Sequence, residues 1–171
     1  ILGDDYKGKI LDASSGLGYG TQAGRDRGFN ITDVEPFPSD EYRKRVDYID
    51  YDDINGKYDT IISNAVLNVL PQDQRNALLL KMASLTADGG KMYISVRSKN
   101  GVKPLRDNAK NVEIGDSEFF VASSGAYQKG FTKQELKAIR NKCDKYNLYL
   151  YIDGARIGNA LLASGLTFKD I

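Results

Sequence analysis

Histidine is absent from the 171 residues of this chain. That removes every mechanism in which an imidazole of the chain serves as base, as partner of a nucleophile or as metal ligand. The single cysteine, Cys143, excludes an internal disulfide and a cysteine-rich zinc site. No metal is implied, because the remaining carboxylates lack a recognisable loop spacing. No apolar run reaches the roughly 18 residues that a membrane helix needs, and no charged-then-apolar leader opens the chain. The expectation is a reducing, cytoplasmic setting with no membrane partner. An excess of one charge is missing as well: 24 Lys and Arg against 23 Asp and Glu leave +1. Nucleic-acid binding therefore lacks a broad electrostatic basis, although a local patch stays open. An opening Ile1 in place of Met is what an excised piece of a longer protein would show.

What is present is an ordinary globular mixture, 41% hydrophobic and 27% charged, in one domain's worth of chain. A chain of this size buries enough surface for a real core, and a single domain over 1–171 is expected. The first hundred residues alternate short β-branched runs with amphipathic stretches. Residues 9–12 form a short apolar strand ending in Asp12, and Gly16, Gly18 and Gly20 follow at once. Residues 21–27 read as helix with Gly28 as its C-cap, and 30–35 alternate as a strand that stops at Pro36. A third strand candidate ends at Asp50 and Tyr51. Residues 58–69 carry the strongest buried-strand signal, in Ile61 and Ile62. Leu78, Leu79, Met82 and Leu85 fall on helical spacing over 72–85, with Pro71 at the entrance. A turn at Asp88, Gly89 and Gly90 precedes a strand over 91–96. This alternation predicts right-handed βαβ units and an α/β fold: a Rossmann-like, mostly parallel sheet with helices on both faces.

Residues 98–130 are polar and contain one strand candidate, 118–122. Thr132 then reads as an N-cap with Glu135 as its capping-box partner, opening a helix to about 146. A final strand is expected over 148–152.

In such a sheet, ligands bind beyond the carboxyl ends of the strands. Glycines after the first strand let the backbone approach a ligand and turn tightly into the helix. Glu35 closes the second strand, where an acid can take both hydroxyls of a ribose. Asp33, two residues earlier on the same face, is its rival; Glu35 is preferred because it stands at the very end. Asp50 and Tyr51 offer a carboxylate and an aromatic edge to a heterocycle, and Ser63 and Asn64 close the fourth strand candidate. Any one of these residues alone is unremarkable, but their common register points to a nucleoside-type ligand. Tyr48, Tyr51 and Tyr58 also suit packing and rim positions. The clusters Arg25-Asp26-Arg27 and Arg43-Lys44-Arg45 read as solvated charges, and Arg97 as a surface arginine.

At these residues the sequence resembles the class I S-adenosylmethionine-dependent methyltransferases, over about 8–136. It is similar to the methyltransferase domains embedded in large proteins of phages and other bacterial mobile elements. The stretches that carry the resemblance are 11–20, 33–38, 58–71 and 127–136. The family's first motif, an acid followed by three alternating glycines, stands here as Asp12, Ser14, Gly16 and Gly18, so a serine replaces the first glycine. Its Cβ would crowd the methionine portion of the cofactor, or its hydroxyl would bond to it. The resemblance implies S-adenosylmethionine as cofactor, with Gly16 and Gly18 at the methionine moiety and Glu35 on the ribose. It places Asp50 at the adenine amino group and Ser63 and Asn64 toward the transferring methyl. The acceptor is unknown. Ser63-Asn64-Ala65-Val66 departs from the acid-or-Asn-Pro-Pro pattern of the amino-methylating nucleic-acid enzymes, which counts against adenine-N6 and cytosine-N4 methylation. The distance in sequence of Cys143 counts against a cytosine-C5 nucleophile. Without an obvious recognition insertion, acceptor binding would draw on residues 98–130 or a partner domain.

The last forty residues diverge. Residues 131–171, above all 149–160, resemble the low-specificity threonine aldolases that use pyridoxal phosphate. That resemblance matches Asp153 to the partner of the pyridine nitrogen and Arg156 to a residue beside the cofactor. The Schiff-base lysine and the stacking histidine are missing, so aldolase activity from this chain alone is not expected. The two resemblances meet at 130–136, as in a chimeric sequence. A spliced helix–strand–helix segment would then give the sheet truncated or altered C-terminal strands. Two rivals remain at this level: a catalytically silent nucleotide-binding or interaction module, and a pyridoxal-phosphate-binding fragment.

Overall fold

The structure, a computed structural model, describes residues 6–145, the side chain of Cys143 excepted. The expected strand at 148–152 and the residues Asp153 and Arg156 lie outside the described residues. Two compact units divide the chain: residues 1–64 with 75–93, and residues 65–74 with 94–171.

In the first unit, the apolar run at the start becomes β1 (Ile10–Ala13), in which Ile10, Leu11 and Ala13 are buried. A glycine-containing loop leads into α1 (Tyr19–Asp26), and β2 (Ile31–Val34) follows. β3 (Tyr58–Asn64) holds Tyr58, Thr60, Ile61 and Ser63 in the interior. α2 (Gln72–Leu85) has the bounds its apolar spacing and Pro71 predict; Leu78, Met82 and Leu85 are buried, while Leu80 faces solvent. β4 (Thr86–Ser95) completes a four-stranded sheet in the order β2-β1-β3-β4. β1 lies between β2 and β3 and runs parallel to both, with Asp12 in register with Asp33 on one side and Ile62 on the other. This is the parallel α/β arrangement that the alternation of elements requires.

Two local expectations give way. The third strand is reduced to one parallel bridge between Tyr48 and Val34, flanked by 3-10 turns at Tyr42–Lys44 and Tyr51–Asp53. The Asp47 carboxylate accepts the Asp33 N–H at 3.0 Å in place of a backbone carbonyl, and Asp50 caps the second turn. The turn expected at Asp88–Gly90 lies inside β4, where Gly89 takes φ 74°.

The second unit holds the later strands as a separate antiparallel sheet, β5 (Asn111–Gly115), β6 (Glu118–Val121) and β7 (Ala126–Lys129), in that order. A single strand was expected across this region. Phe119 is fully buried at its centre, and Phe120 meets Tyr127 edge-on at 5.7 Å. α3 (Lys99–Arg106) begins at Ser98, whose Oγ accepts the Gly101 N–H at 3.2 Å. It packs so closely on Gly130 that a Cβ there would stand 2.6 Å from the Lys99 Cα. α4 (Lys133–Lys145) opens with the expected capping box. The Glu135 N–H donates to Thr132 Oγ1 at 3.2 Å, and Glu135 Oε2 accepts the Thr132 N–H at 2.8 Å. Lys129 is buried between Glu118 and Glu135, 3.0 Å from each. Among the described residues no helix is long and apolar enough to cross a membrane.

Candidate functional site

The loop after β1 is the centre of the first unit's polar chemistry. Ser14, Gly16 and Gly18 all take left-handed backbone conformations, with φ of 66°, 63° and 73°. The amides of Ser14 and Ser15 both donate to the Val34 carbonyl, at 2.9 and 3.1 Å, which hooks the loop over the end of β2. Gly18 tolerates no side chain, because a Cβ would fall 2.0 Å from the Tyr42 ring. Before Gly16 the same test meets open space within 4 Å. α1 starts at Gly18 with no side-chain cap and no acid in its first turn. Its leading amides are thus left to water or a ligand.

Three anchors from residues 33–51 hold this loop. The first is Asp33, fully buried. It accepts the Ser15 hydroxyl at 2.9 Å, the Tyr42 hydroxyl and the Arg25 guanidinium at 2.9 Å. Burial by itself would raise its pKa, but these bonds from Tyr42, Ser15 and Arg25, with one from the Asp47 backbone, outweigh it and hold the carboxyl below its ordinary value. Arg25 also reaches Asp47 at 2.5 Å, so it is not the solvated charge its sequence context suggests. The second anchor is Glu35. Its Oε2 accepts the Gly16 N–H at 2.7 Å and its Oε1 the Phe37 N–H at 3.0 Å. A carboxylate offers about four lone-pair positions, so Glu35 keeps capacity on both oxygens.

The third anchor is Tyr51, whose hydroxyl shares a hydrogen bond of 2.8 Å with that of Ser14. Burial pushes the phenol pKa up to about 12, and the carboxylates of Glu35 and Asp12 add to the rise. Asp12, at the end of β1, accepts the Thr21 hydroxyl at 2.7 Å; burial raises its pKa despite that bond. Asp12, Ser14, Gly16, Gly18, Glu35 and Tyr51 therefore belong to one neighbourhood. Asp50 is exposed and caps the turn that carries Tyr51, accepting the Asp52 N–H at 2.9 Å. Ser63 is turned into the interior, with its hydroxyl buried and unpartnered, while Asn64 is exposed. Ser15, Arg25, Tyr42 and Asp47 escaped the sequence reading. Their signal was spread over more than thirty positions and appears only when β2 pairs with β1.

The sequence matches the family model described as a methyltransferase domain over residues 2–151. No curated protein matches it. Among solved structures, it is similar to a Burkholderia thailandensis 1,6-didemethyltoxoflavin-N1-methyltransferase with bound 1,6-didemethyltoxoflavin and S-adenosylhomocysteine. The TM-score is 0.57 at 19% identity over 80% of this chain, which spans 59% of that enzyme. A protein of Pyrococcus horikoshii OT3 is similar at a TM-score of 0.58 and 18% identity, over 80% of this chain and 73% of its own length. At such identities the likeness is one of fold.

Proposed function

The chain belongs to the methyltransferase domain family, and from that premise we propose that its β1 loop and Glu35 bind S-adenosylmethionine for methyl transfer to an acceptor. The observation that carries this reading is the division of labour between the two acids of β2. Asp33 is consumed by Ser15, Tyr42 and Arg25, whereas Glu35 is fixed by two backbone amides and keeps lone pairs free. Two acceptor oxygens held rigidly at the end of a parallel strand suit the two hydroxyls of a ribose.

The residues present fit the cofactor, since open space lies before Gly16 and the uncapped start of α1 adjoins it. Gly16 and Gly18 would hold the methionine portion by close backbone approach, and Asp50 would stand at the adenine amino group. Asn64, the exposed member of its pair, is the better placed of the two to meet the acceptor. When bound, the cofactor would supply a methyl activated by a sulfonium, which an acceptor's lone pair could take as the S–C bond breaks and its electron pair stays on a neutral thioether. The chain's own part is alignment. Having no histidine, it suits an acceptor that is already nucleophilic.

Calorimetric titration with S-adenosylhomocysteine tests the reading. Micromolar affinity, about −8 kcal/mol, is expected for the parent and at least a tenfold loss for Glu35→Ala. A folded parent that takes up no ligand would overturn it.

A further inference from the structure

Three non-glycine residues take a positive φ among the described residues: Ser14, Ala65 and Ser117. An L-residue resists this conformation because its Cβ crowds the backbone, which is why glycine usually stands there. Ala65 has no polar side chain to hold it, and the Ser117 hydroxyl is buried without a partner. Ser14 alone is tied by its side chain, to a tyrosine 37 residues away. The tie reaches across from a turn that is itself secured, by the Asp50 cap at one end and the buried Ile54 at the other.

The conformation of Ser14 matters to everything downstream in the loop. Its left-handed backbone lets the amides of Ser14 and Ser15 converge on the Val34 carbonyl and delivers the Gly16 N–H to Glu35. If Ser14 relaxed to an ordinary extended or helical conformation, the chain would leave β1 in another direction and Gly16 would part from Glu35. We propose that Tyr51 is a positioning residue for the cofactor site: its hydroxyl holds Ser14 in the left-handed conformation that a glycine would adopt unaided. Serine and tyrosine thus act as a pair, and Tyr51 serves the site through Ser14 rather than by touching the ligand's reacting atoms. This rests on the cofactor reading above.

A double-mutant cycle of Tyr51→Phe and Ser14→Gly tests it, read by calorimetric titration with S-adenosylhomocysteine and by thermal unfolding without ligand. In the serine background, Tyr51→Phe is expected to weaken binding about fivefold, the scale of one neutral hydrogen bond. In the glycine background the same substitution is expected to change affinity less than about twofold. The unfolding temperature should show the same dependence on background. Equal losses in both backgrounds would mean that Tyr51 meets the ligand directly, and would overturn the proposal. No loss in either background would overturn it too. A drop in unfolding temperature at unchanged affinity would reduce the pair to a structural lock. A folded parent that binds no ligand would overturn the cofactor reading and the positioning role together, and the titration of the parent alone distinguishes that case.

Discussion

α1 and α4 begin in opposite ways. α4 opens on Thr132 and Glu135, which satisfy each other's amides and add an ion pair to Lys129. α1 opens on Gly18, in a left-handed conformation, with no side-chain cap. A helix start closed by a reciprocal capping box has its side chains committed to structure. A bare start, preceded by a loop whose polar groups are anchored from behind, keeps its donors for something else. The same contrast runs through the two acids of β2, since Asp33 is used up and Glu35 is held but not exhausted. In the proposed site, a supporting acid is told from a binding one by spare hydrogen-bonding capacity, not by residue type.

The contrast breaks most visibly at Asp33. Asp33→Ala leaves the Ser15 and Tyr42 hydroxyls without their acceptor and Arg25 with Asp47 alone, and a cost of about 3 kcal/mol is expected, the scale of buried hydrogen bonds left unmade. At this chain length that lowers the thermal midpoint by about 10 °C, readable by circular dichroism. Glu35→Gln sharpens the other side. Its amide oxygen still accepts one backbone N–H, so a stability loss within about 1.5 kcal/mol should accompany at least a tenfold loss of S-adenosylhomocysteine affinity. Thr132→Ala removes a cap and should cost about 1 kcal/mol while leaving that affinity unchanged. A fall in affinity there would erase the distinction between the two helix starts.

The acid side of the stability profile separates the same groups. The carboxyls of Asp33 and Glu135 lie below their ordinary values in the fold: burial opposes this, but the bonds from Tyr42, Ser15 and Arg25, and from Thr132 and Lys129, prevail. Their contribution is complete above the unfolded-state pKa and is lost as pH falls through the lower folded value. Asp33→Asn should flatten the decline in unfolding free energy below about pH 4, measured by urea denaturation. At the alkaline end the sign reverses. The Tyr51 phenol, raised by burial to about 12, contributes fully below the ordinary tyrosine value and is lost as pH climbs through 12.

How much of this was legible beforehand depended on how local its cause was. α2 emerged with its expected bounds because Leu78, Met82 and Leu85 recur within about two turns and Pro71 stands just before its first residue. The capping box of α4 is four residues long and was read directly. α3 was not: Gly101 and Pro104 inside it signal loop, and the helix stands on the Ser98 cap and on the close approach of Gly130, 29 residues beyond Gly101. β5 and β7 are largely polar and exist by pairing with β6, a relation no short window contains. At the site, the loop glycines and Glu35 were visible as motif positions, whereas the Ser14–Tyr51 and Arg25–Asp33–Asp47 bonds connect residues that only the fold brings near. Asp50 caps the turn bearing Tyr51, a duty that its residue type did not reveal.

The most direct measurement is an amide NMR titration of the parent chain with S-adenosylhomocysteine. The account predicts shifts concentrated at Ser14, Gly16, Gly18 and the first turn of α1, with the amides of Thr132 and Glu135 unmoved. Shifts centred elsewhere, or none at the β1 loop, would contradict it.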